Sequence, residues 1–213
     1  MSINIIDAKL KFKGTFKPNN PECIILHHAL SNHCSIFDVH QWHLQNGWIG
    51  FGYHFFISKA GRIYKGRDVK NNGSHTKEKE MNRKSIGICL EGCYTDYEDM
   101  TEKTVPVEQY KSLIELTKYL MKEYTVKKIF PHNHFANYKD CPGKYFPFDK
   151  YISDCFDTEK KKNWMEILKE CTDSPERWED AILSVIKKNV LSDEKELEIF
   201  KFLPDLIEKV YYK

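Results

Sequence analysis

Cys23-Ile24-Ile25-Leu26-His27-His28 is the stretch on which the organisation of this chain depends, because four apolar residues lead directly into two histidines. A short apolar run of this kind predicts a buried strand. The histidine that follows such a strand emerges at the carboxyl edge of a sheet, where α/β folds place their ligands. Neighbouring strand residues point to opposite faces, so only one of the two histidines can face a given site.

A second group of histidine and cysteine residues occurs far along the chain. His132-Asn133-His134 comes just after the segment 126–130, a predicted strand, and Cys141 comes shortly afterwards. Histidine and cysteine are preferred ligands of Zn²⁺, and three protein ligands from distant segments describe a catalytic site with one open position. Structural zinc sites usually contain close-set cysteine pairs, and none surrounds Cys141. The pattern therefore predicts a zinc hydrolase.

Composition limits the possible protein classes. The 213 residues, 41% hydrophobic and 30% charged, predict an ordinary globular protein with room for one α/β domain and a small appendage. We expect no membrane span, because no apolar stretch approaches about 18 residues. The N-terminus has neither a basic region nor an apolar one, so we expect no signal peptide. The seven cysteines are odd in number and lack the spacing of a disulfide framework, which indicates reduced thiols in a cytosolic compartment.

Glycine usage and charge divide the chain into two parts. All ten glycines lie at or before Gly143, and residues 1–163 carry a net charge of +6 against −4 for residues 164–213. The polar stretch 157–163 is typical of a linker. Beyond it the apolar residues recur at helical spacing only. We therefore predict a catalytic domain over residues 1–156, a linker over 157–163 and a small all-α domain over 164–213.

The first domain alternates strand-like and helix-like segments, which predicts an α/β fold. Strands are predicted at 23–26, 53–57, 62–65, 85–90 and 126–130, and helices from Ser35 to Asn46 and at 107–124. Ser58-Lys59-Ala60-Gly61 predicts the turn of a hairpin.

Seven short motifs in a fixed order carry a family resemblance. They are Ile24-Ile25-Leu26-His27-His28, Gln41-Trp42-His43, Gly52-Tyr53-His54-Phe55, Gly66-Arg67-Asp68, Gly73-Ser74-His75, Asn82 with Ser85-Ile86-Gly87-Ile88, and His132 through Cys141-Pro142-Gly143. Across residues 22–148 the chain thereby resembles the type 2 N-acetylmuramoyl-L-alanine amidases, which include phage lysozyme-amidases and share their fold with peptidoglycan recognition proteins. The resemblance implies a central mixed β-sheet flanked by helices.

The resemblance also implies roles for individual residues. His27, His132 and Cys141 match the zinc ligands, Tyr53 and Lys139 match the catalytic donors, and His75 and Asn82 match positions that line the substrate groove. The implied reaction hydrolyses the amide between N-acetylmuramic acid and L-alanine in peptidoglycan, with zinc-bound water as nucleophile.

Two of the zinc ligands have competitors. His28 adjoins His27, but the family ligand directly follows the apolar strand, which favours His27. His134 competes with His132, because the interval from His132 to Cys141 is one residue longer than relatives usually have and the interval from His134 is one shorter. The position directly after a strand favours His132, since a loop tolerates one insertion.

Cys89 departs from the family pattern, because many relatives carry glutamate there as a candidate general base. The general base therefore stays open between Tyr53 and Glu91, although a solvated strand-end acid is the simpler interpretation of Glu91. His40 and His43 stand three apart on a predicted helix, where packing is favoured over a second metal site. Arg67 and Asp68 are expected to form a structural ion pair.

The resemblance extends to the biological setting. It implies an endolysin that collects in the bacterial host cytoplasm until release and then acts on the cell wall. Residues 164–213 resemble the helical wall-binding segments of clostridial-type phage endolysins, which predicts a secondary cell-wall polymer as a further partner. We expect a monomer or weak dimer without nucleic-acid or membrane partners. The alternative is a non-catalytic peptidoglycan-binding protein, but such relatives typically lose the metal-ligating cysteine, and Cys141 is present.

Overall fold

A computed structural model of the chain describes residues 3–156 as a six-stranded sheet with helices on both faces. The predicted linker (157–163) and helical domain (164–213) lie outside the described residues. Within residues 3–156, no helix is long and apolar enough to cross a bilayer. The strands are β1 (Ile5–Asp7), β2 (Cys23–His28), β3 (Phe55–Ile57), β4 (Ile63–Lys65), β5 (Ser85–Leu90) and β6 (Ile129–Pro131). The α-helices are α1 (Ile36–Gln45) and α2 (Val107–Glu123), and 3₁₀ segments span Glu78–Arg83 and His132–His134.

The order of the strands brings distant parts of the chain together. Across the sheet the order is β1-β4-β3-β5-β2-β6, and β3 and β4 form an antiparallel hairpin while the other described pairs are parallel. Strand β2 lies between β5 and β6, with His27 opposite Cys89 of β5 and Leu26 opposite Pro131 of β6. The sheet is thus mixed, as predicted, and the residue after β6 lies beside the carboxyl end of β2.

Alternation along β2 and β5 separates two apolar layers. On one face, Ile24, Leu26 and Ile88 join the core beneath α2. On the other face, Cys89 packs with Ile36 and Val39 of α1. His27 lies two residues after Ile25, on the same face of β2, and pairs with Cys89. Its side chain therefore emerges on the α1 face. Any site that includes His27 therefore lies on that face.

Local sequence explains where the helices begin. At the start of α1, the Ser35 hydroxyl accepts a hydrogen bond from the Asp38 amide, and the Asp38 carboxylate accepts one from the Ser35 amide at 2.8 Å. This reciprocal capping box satisfies two backbone donors of the first turn. In α2 the buried Gln109 amide donates to the carbonyls of Ile57 and Glu91, which ties the helix to the ends of β3 and β5.

The strand predicted at 126–130 is displaced in the structure, where β6 covers Ile129–Pro131. Val126 is still buried in the core beneath α2, which accounts for its apolar character. The chain turns at Thr125, whose φ of 56° is left-handed. Pairing with β2 begins only at Lys128, whose carbonyl accepts from the Ile24 amide.

The predicted ion pair between Arg67 and Asp68 is wrong. Arg67 is buried, and its guanidinium donates to the carbonyls of Phe51 at 2.6 Å and Asn72 at 2.7 Å. The Asp68 carboxylate lies instead 3.9 Å from the Lys65 ammonium. Burial lowers the pKa of Arg67 to about 10, which still leaves the group charged at neutral pH. Arg67 therefore joins the loop before Tyr53 to the loop that contains Asn72.

We expect Arg67→Lys to lower the free energy of unfolding by about 2–3 kcal/mol, because a lysine ammonium lacks the planar fork that reaches two carbonyls and leaves one without a donor. Arg62→Lys is the matched control, since Arg62 is exposed, and should change stability by less than about 0.5 kcal/mol. Urea unfolding monitored by circular dichroism measures both. Equal stability of the two variants would contradict the structural role of Arg67.

Candidate metal centre

Three side chains from separate segments converge on the α1 face of the sheet. The ligand atoms of His27, His132 and Cys141 lie within 4.8 Å of one another, and all three residues are buried. His27 Nδ1 is 3.8 Å from Cys141 Sγ. Zinc bonds of typical length at a tetrahedral angle place a nitrogen and a sulfur ligand about 3.6 Å apart. The donor set and its spacing therefore fit Zn²⁺ with a fourth position left for a reactant.

Backbone contacts fix the loop that carries Cys141. The Asn133 amide donates to the Cys141 carbonyl at 2.9 Å, which joins the two later ligand segments directly. Gly143 has a φ of +103°, and a Cβ at that position would lie 2.1 Å from the Tyr94 carbonyl oxygen. A side chain at residue 143 would push the cysteine loop away from β5. The Cys-Pro-Gly motif is therefore explained by close backbone approach.

The two competing histidines do not join the cluster. His28 points to the opposite face of β2, where its Nδ1 accepts a hydrogen bond from the Tyr94 amide at 3.1 Å. His134 is exposed and stacks on Phe130, with ring centroids 4.5 Å apart. Strand alternation explains the first outcome and the strand-end position of His132 explains the second.

Burial sets the charge state of the cluster. It lowers the pKa of His27 well below its ordinary value and that of His132 to about 4, and Lys139 lowers both further. Both imidazoles are therefore neutral at physiological pH, which is the form that binds a metal. Burial raises the pKa of the Cys141 thiol to about 12, so metal binding has to displace its proton. The positive charge of Lys139 opposes this rise and favours the thiolate.

The two predicted catalytic donors differ in their surroundings, since Tyr53 packs against His27 and Lys139 lines an open cleft. The Tyr53 ring is 5.0 Å from the His27 ring, and burial raises the pKa of its phenol well above the ordinary value. Tyr53 is thus a protonated hydrogen-bond donor at neutral pH. Lys139 is exposed and lines a cleft of about 750 Å³ that also reaches His132. Its three N–H donors are accessible to a molecule in that cleft.

His75 and Asn82, the predicted substrate-binding residues, also line the cleft. The Asn82 side-chain oxygen accepts hydrogen bonds from the backbone amides of His75 at 2.6 Å and Thr76 at 2.8 Å, so Asn82 holds the cleft wall in place. The His75 ring is buried, and its Nδ1 lies 3.0 Å from His27 Nε2. Sequence reasoning did not anticipate this contact.

Neither Cys89 nor Glu91 is available as a general base in this arrangement. Cys89 is fully buried, and burial raises the pKa of its thiol well above the ordinary value, so the thiol stays protonated at neutral pH. Glu91 is buried rather than solvated, and its carboxylate accepts hydrogen bonds from the backbone amides of Lys59 at 2.8 Å and Cys34 at 3.4 Å. Its role is to hold two loops. Of the two open candidates, Tyr53 lies next to the metal cluster, but its protonated phenol serves there as a donor and not as a base.

The remaining histidines on α1 serve packing. His40 Nδ1 accepts from the Phe51 amide and His43 Nδ1 from the Gly52 amide, each at 3.0 Å. Both side chains therefore support the loop that leads to Tyr53 and do not form a second metal pair. Trp48, which the motifs did not single out as functional, packs against His43 with tilted rings whose centroids are 4.5 Å apart, and it lines the cleft.

Comparisons with known proteins agree with this geometry. A family profile described as N-acetylmuramoyl-L-alanine amidase matches residues 17–144. The endolysin of Enterobacteria phage T3 is 34% identical over 135 residues, covering 62% of this chain and 87% of that protein. The endolysin of Escherichia phage T7 is 32% identical over 139 residues, covering 64% and 87%. The solved structure of the N-acetylmuramoyl-L-alanine amidase LysC from Clostridium intestinale has a TM-score of 0.65 and 31% identity, covering 71% of this chain and 97% of LysC.

We expect His132→Ala to lower the zinc content of the purified protein from about one per chain to near zero, because removal of one of three ligands leaves too few donors. His134→Ala is the matched control from the same loop and should retain about one zinc. Inductively coupled plasma mass spectrometry after dialysis measures both. Loss of zinc from the His134 variant alone would show that the ligand assignment is wrong.

Proposed function

The chain belongs to the N-acetylmuramoyl-L-alanine amidase family, and from this premise we propose that it is a zinc-dependent endolysin. It hydrolyses the amide bond between N-acetylmuramic acid and L-alanine in peptidoglycan. The observation that carries this proposal is the convergence of His27, His132 and Cys141 beside Tyr53, with a cleft that reaches His132. A donor set with one position left over is the arrangement that a catalytic zinc requires.

Amide hydrolysis needs a nucleophile, stabilisation of a tetrahedral oxyanion and a proton for the leaving amine. When bound, Zn²⁺ supplies the acidification of water that yields a nucleophile near neutral pH. Tyr53 contributes an oriented O–H donor, because its buried phenol remains protonated. One such donor aimed at an oxyanion typically contributes about 3 kcal/mol to transition-state stabilisation.

Lys139 acts from the solvent-exposed cleft. Its ammonium lies on the cleft wall close enough to the cluster to lower the pKa of His27, His132 and Cys141. A cation in this position stabilises the negative charge that develops on the scissile carbonyl. Because the ammonium carries protons, it is also suited to protonate the leaving amine.

The cleft favours an anionic ligand. Lys17, Lys77, Arg83 and Lys139 line it, and Glu78 is the acidic residue among its lining side chains. The peptide stem of peptidoglycan carries free carboxylates, which an excess of positive charge attracts. His75 and Asn82 stay predicted contacts of this substrate, and Asn82 contributes at least by fixing the cleft wall.

We also propose where in the bacterium the protein acts. The relatives that carry the name endolysin come from bacteriophages, which supports action on the wall after release from the host cytoplasm. We propose that residues 164–213 bind the wall, with a secondary polymer as ligand, and that the protein works as a monomer or weak dimer. The alternative, a recognition protein without activity, is disfavoured because all three ligand residues are present and clustered.

Product analysis of purified peptidoglycan tests the reaction. The protein should release L-alanine amino termini in step with loss of turbidity and generate no new reducing sugar ends. A chelator should abolish the release, and added Zn²⁺ should restore it. Appearance of reducing ends without new amino groups would identify a glycosidase and contradict the proposal.

We expect Tyr53→Phe to lower kcat by about 100-fold or more while zinc content stays at the wild-type level, because the substitution removes one donor and no ligand. Tyr119→Phe is the matched control, since this exposed tyrosine lies on α2 beyond the opposite face of the sheet, and it should retain wild-type kcat. Steady-state hydrolysis of a soluble muramyl peptide gives both values. A Tyr53→Phe enzyme with unchanged kcat would exclude the phenol from catalysis.

A further inference from the structure

Both ring nitrogens of His27 are engaged, each by a different partner. Nδ1 faces Cys141 Sγ at 3.8 Å, and Nε2 lies 3.0 Å from Nδ1 of His75. The nitrogen that faces the other ligand is the one available to a metal, and it must present a lone pair rather than a proton. The proton of the neutral His27 ring then belongs on Nε2. Nε2 therefore becomes the donor toward His75.

His75 Nδ1 consequently has to accept this hydrogen bond. The Thr76 hydroxyl lies 3.1 Å from the same nitrogen, and an imidazole nitrogen offers a single in-plane lone pair. His27 and Thr76 thus compete for one acceptor. The hydroxyl can rotate its proton elsewhere, whereas a metal-bound His27 cannot relocate its own. A metal held by Nδ1 of His27 would therefore leave the lone pair of His75 Nδ1 to His27.

The surroundings of His75 hold its ring in a single orientation. Asn82 fixes the backbone through the His75 and Thr76 amides. A Cβ added at Gly73 or Gly87 would lie 2.3 Å or 2.6 Å from Cδ2 of the His75 ring. Both positions therefore have to remain without a side chain while the ring occupies this place.

Nε2, the other ring nitrogen of His75, is buried and makes no hydrogen bond within the part of the chain that the structure describes. Leaving a buried polar group unpaired costs about 1–3 kcal/mol. A histidine kept only for packing would be replaced by an apolar side chain at no such cost. The ring orientation is therefore explained by what Nδ1 does, which is to contact His27.

We infer that His75 is a positioning residue for the metal centre, which fixes the tautomer and the ring orientation of His27 through its Nδ1. The inference rests on the proposed zinc site. Hydrogen-bond partners of metal-ligating histidines orient the ring and raise its basicity, and their loss typically weakens metal binding 10- to 100-fold. This role is separate from the predicted contact of His75 with substrate, which would affect KM without changing metal affinity.

A pair of variants isolates the acceptor from the packing. His75→Asn places a side-chain oxygen, which accepts hydrogen bonds, at about the position of Nδ1, whereas His75→Leu places a methyl group there in a side chain of similar size. Zinc affinity of the full chain is measured by competition with a chromophoric chelator. We expect His75→Leu to bind zinc 10- to 100-fold more weakly than the wild type. His75→Asn should remain close to the wild type.

The outcomes separate the possible explanations. Equal zinc affinity of His75→Leu and the wild type would overturn the inference, and a KM change alone would assign His75 to the substrate. An equal loss of zinc affinity in His75→Leu and His75→Asn would indicate that the ring acts by packing alone, and this result would also overturn the inference. A wild-type chain that binds no zinc would refute the proposed metal centre itself, and circular dichroism of the metal-free proteins identifies a variant that fails to fold.

A direct reading of the tautomer provides the second measurement. In zinc-bound wild-type protein labelled with ¹⁵N-histidine, long-range ¹H–¹⁵N NMR should show the His27 proton on Nε2 and a proton on Nε2 of His75. A protonated Nδ1 on either ring would overturn the inference, whatever the affinities of the variants.

Discussion

The parallel pairing of β2 with β5 on one side and β6 on the other is the constraint on which the site depends. It places His27 opposite Cys89 and brings the end of β6, with His132, beside the end of β2. Strand alternation then directs His27 to the α1 face and His28 to the other. A register shift of one residue would turn His27 to the other face of the sheet and remove it from His132 and Cys141.

Burial sets the protonation states of the same side chains, and their chemistry depends on those states. The cluster lies in a low-dielectric interior, so its imidazoles are neutral and the Tyr53 phenol keeps its proton. Those are the states required of metal ligands and of a hydrogen-bond donor. The same burial removes Cys89 from consideration as a base. Lys139 is exposed and thus able to contact a substrate.

Sequence reasoning predicted the parts of this arrangement that depend on local periodicity. Strand alternation shows that only one of His27 and His28 can face the site, and the family resemblance favours His27. His132 is favoured over His134 by its place directly after a strand, and in the structure His27 and His132 join the cluster. Long-range partners could not be predicted in this way. Arg67 bonds to carbonyls of two separate loops, Glu91 binds amides of two others, and His75 meets His27 from 48 residues away. No local pattern encodes these contacts, because each depends on how the loops meet in three dimensions.

The central claim is that His27, His132 and Cys141 together hold one zinc ion in an amidase. X-ray absorption spectroscopy at the zinc edge tests it most directly on the purified full-length chain. The account predicts one sulfur scatterer at about 2.3 Å, two imidazole nitrogens at about 2.0 Å and one further light atom. A zinc shell without sulfur, or with more than one sulfur, would contradict it.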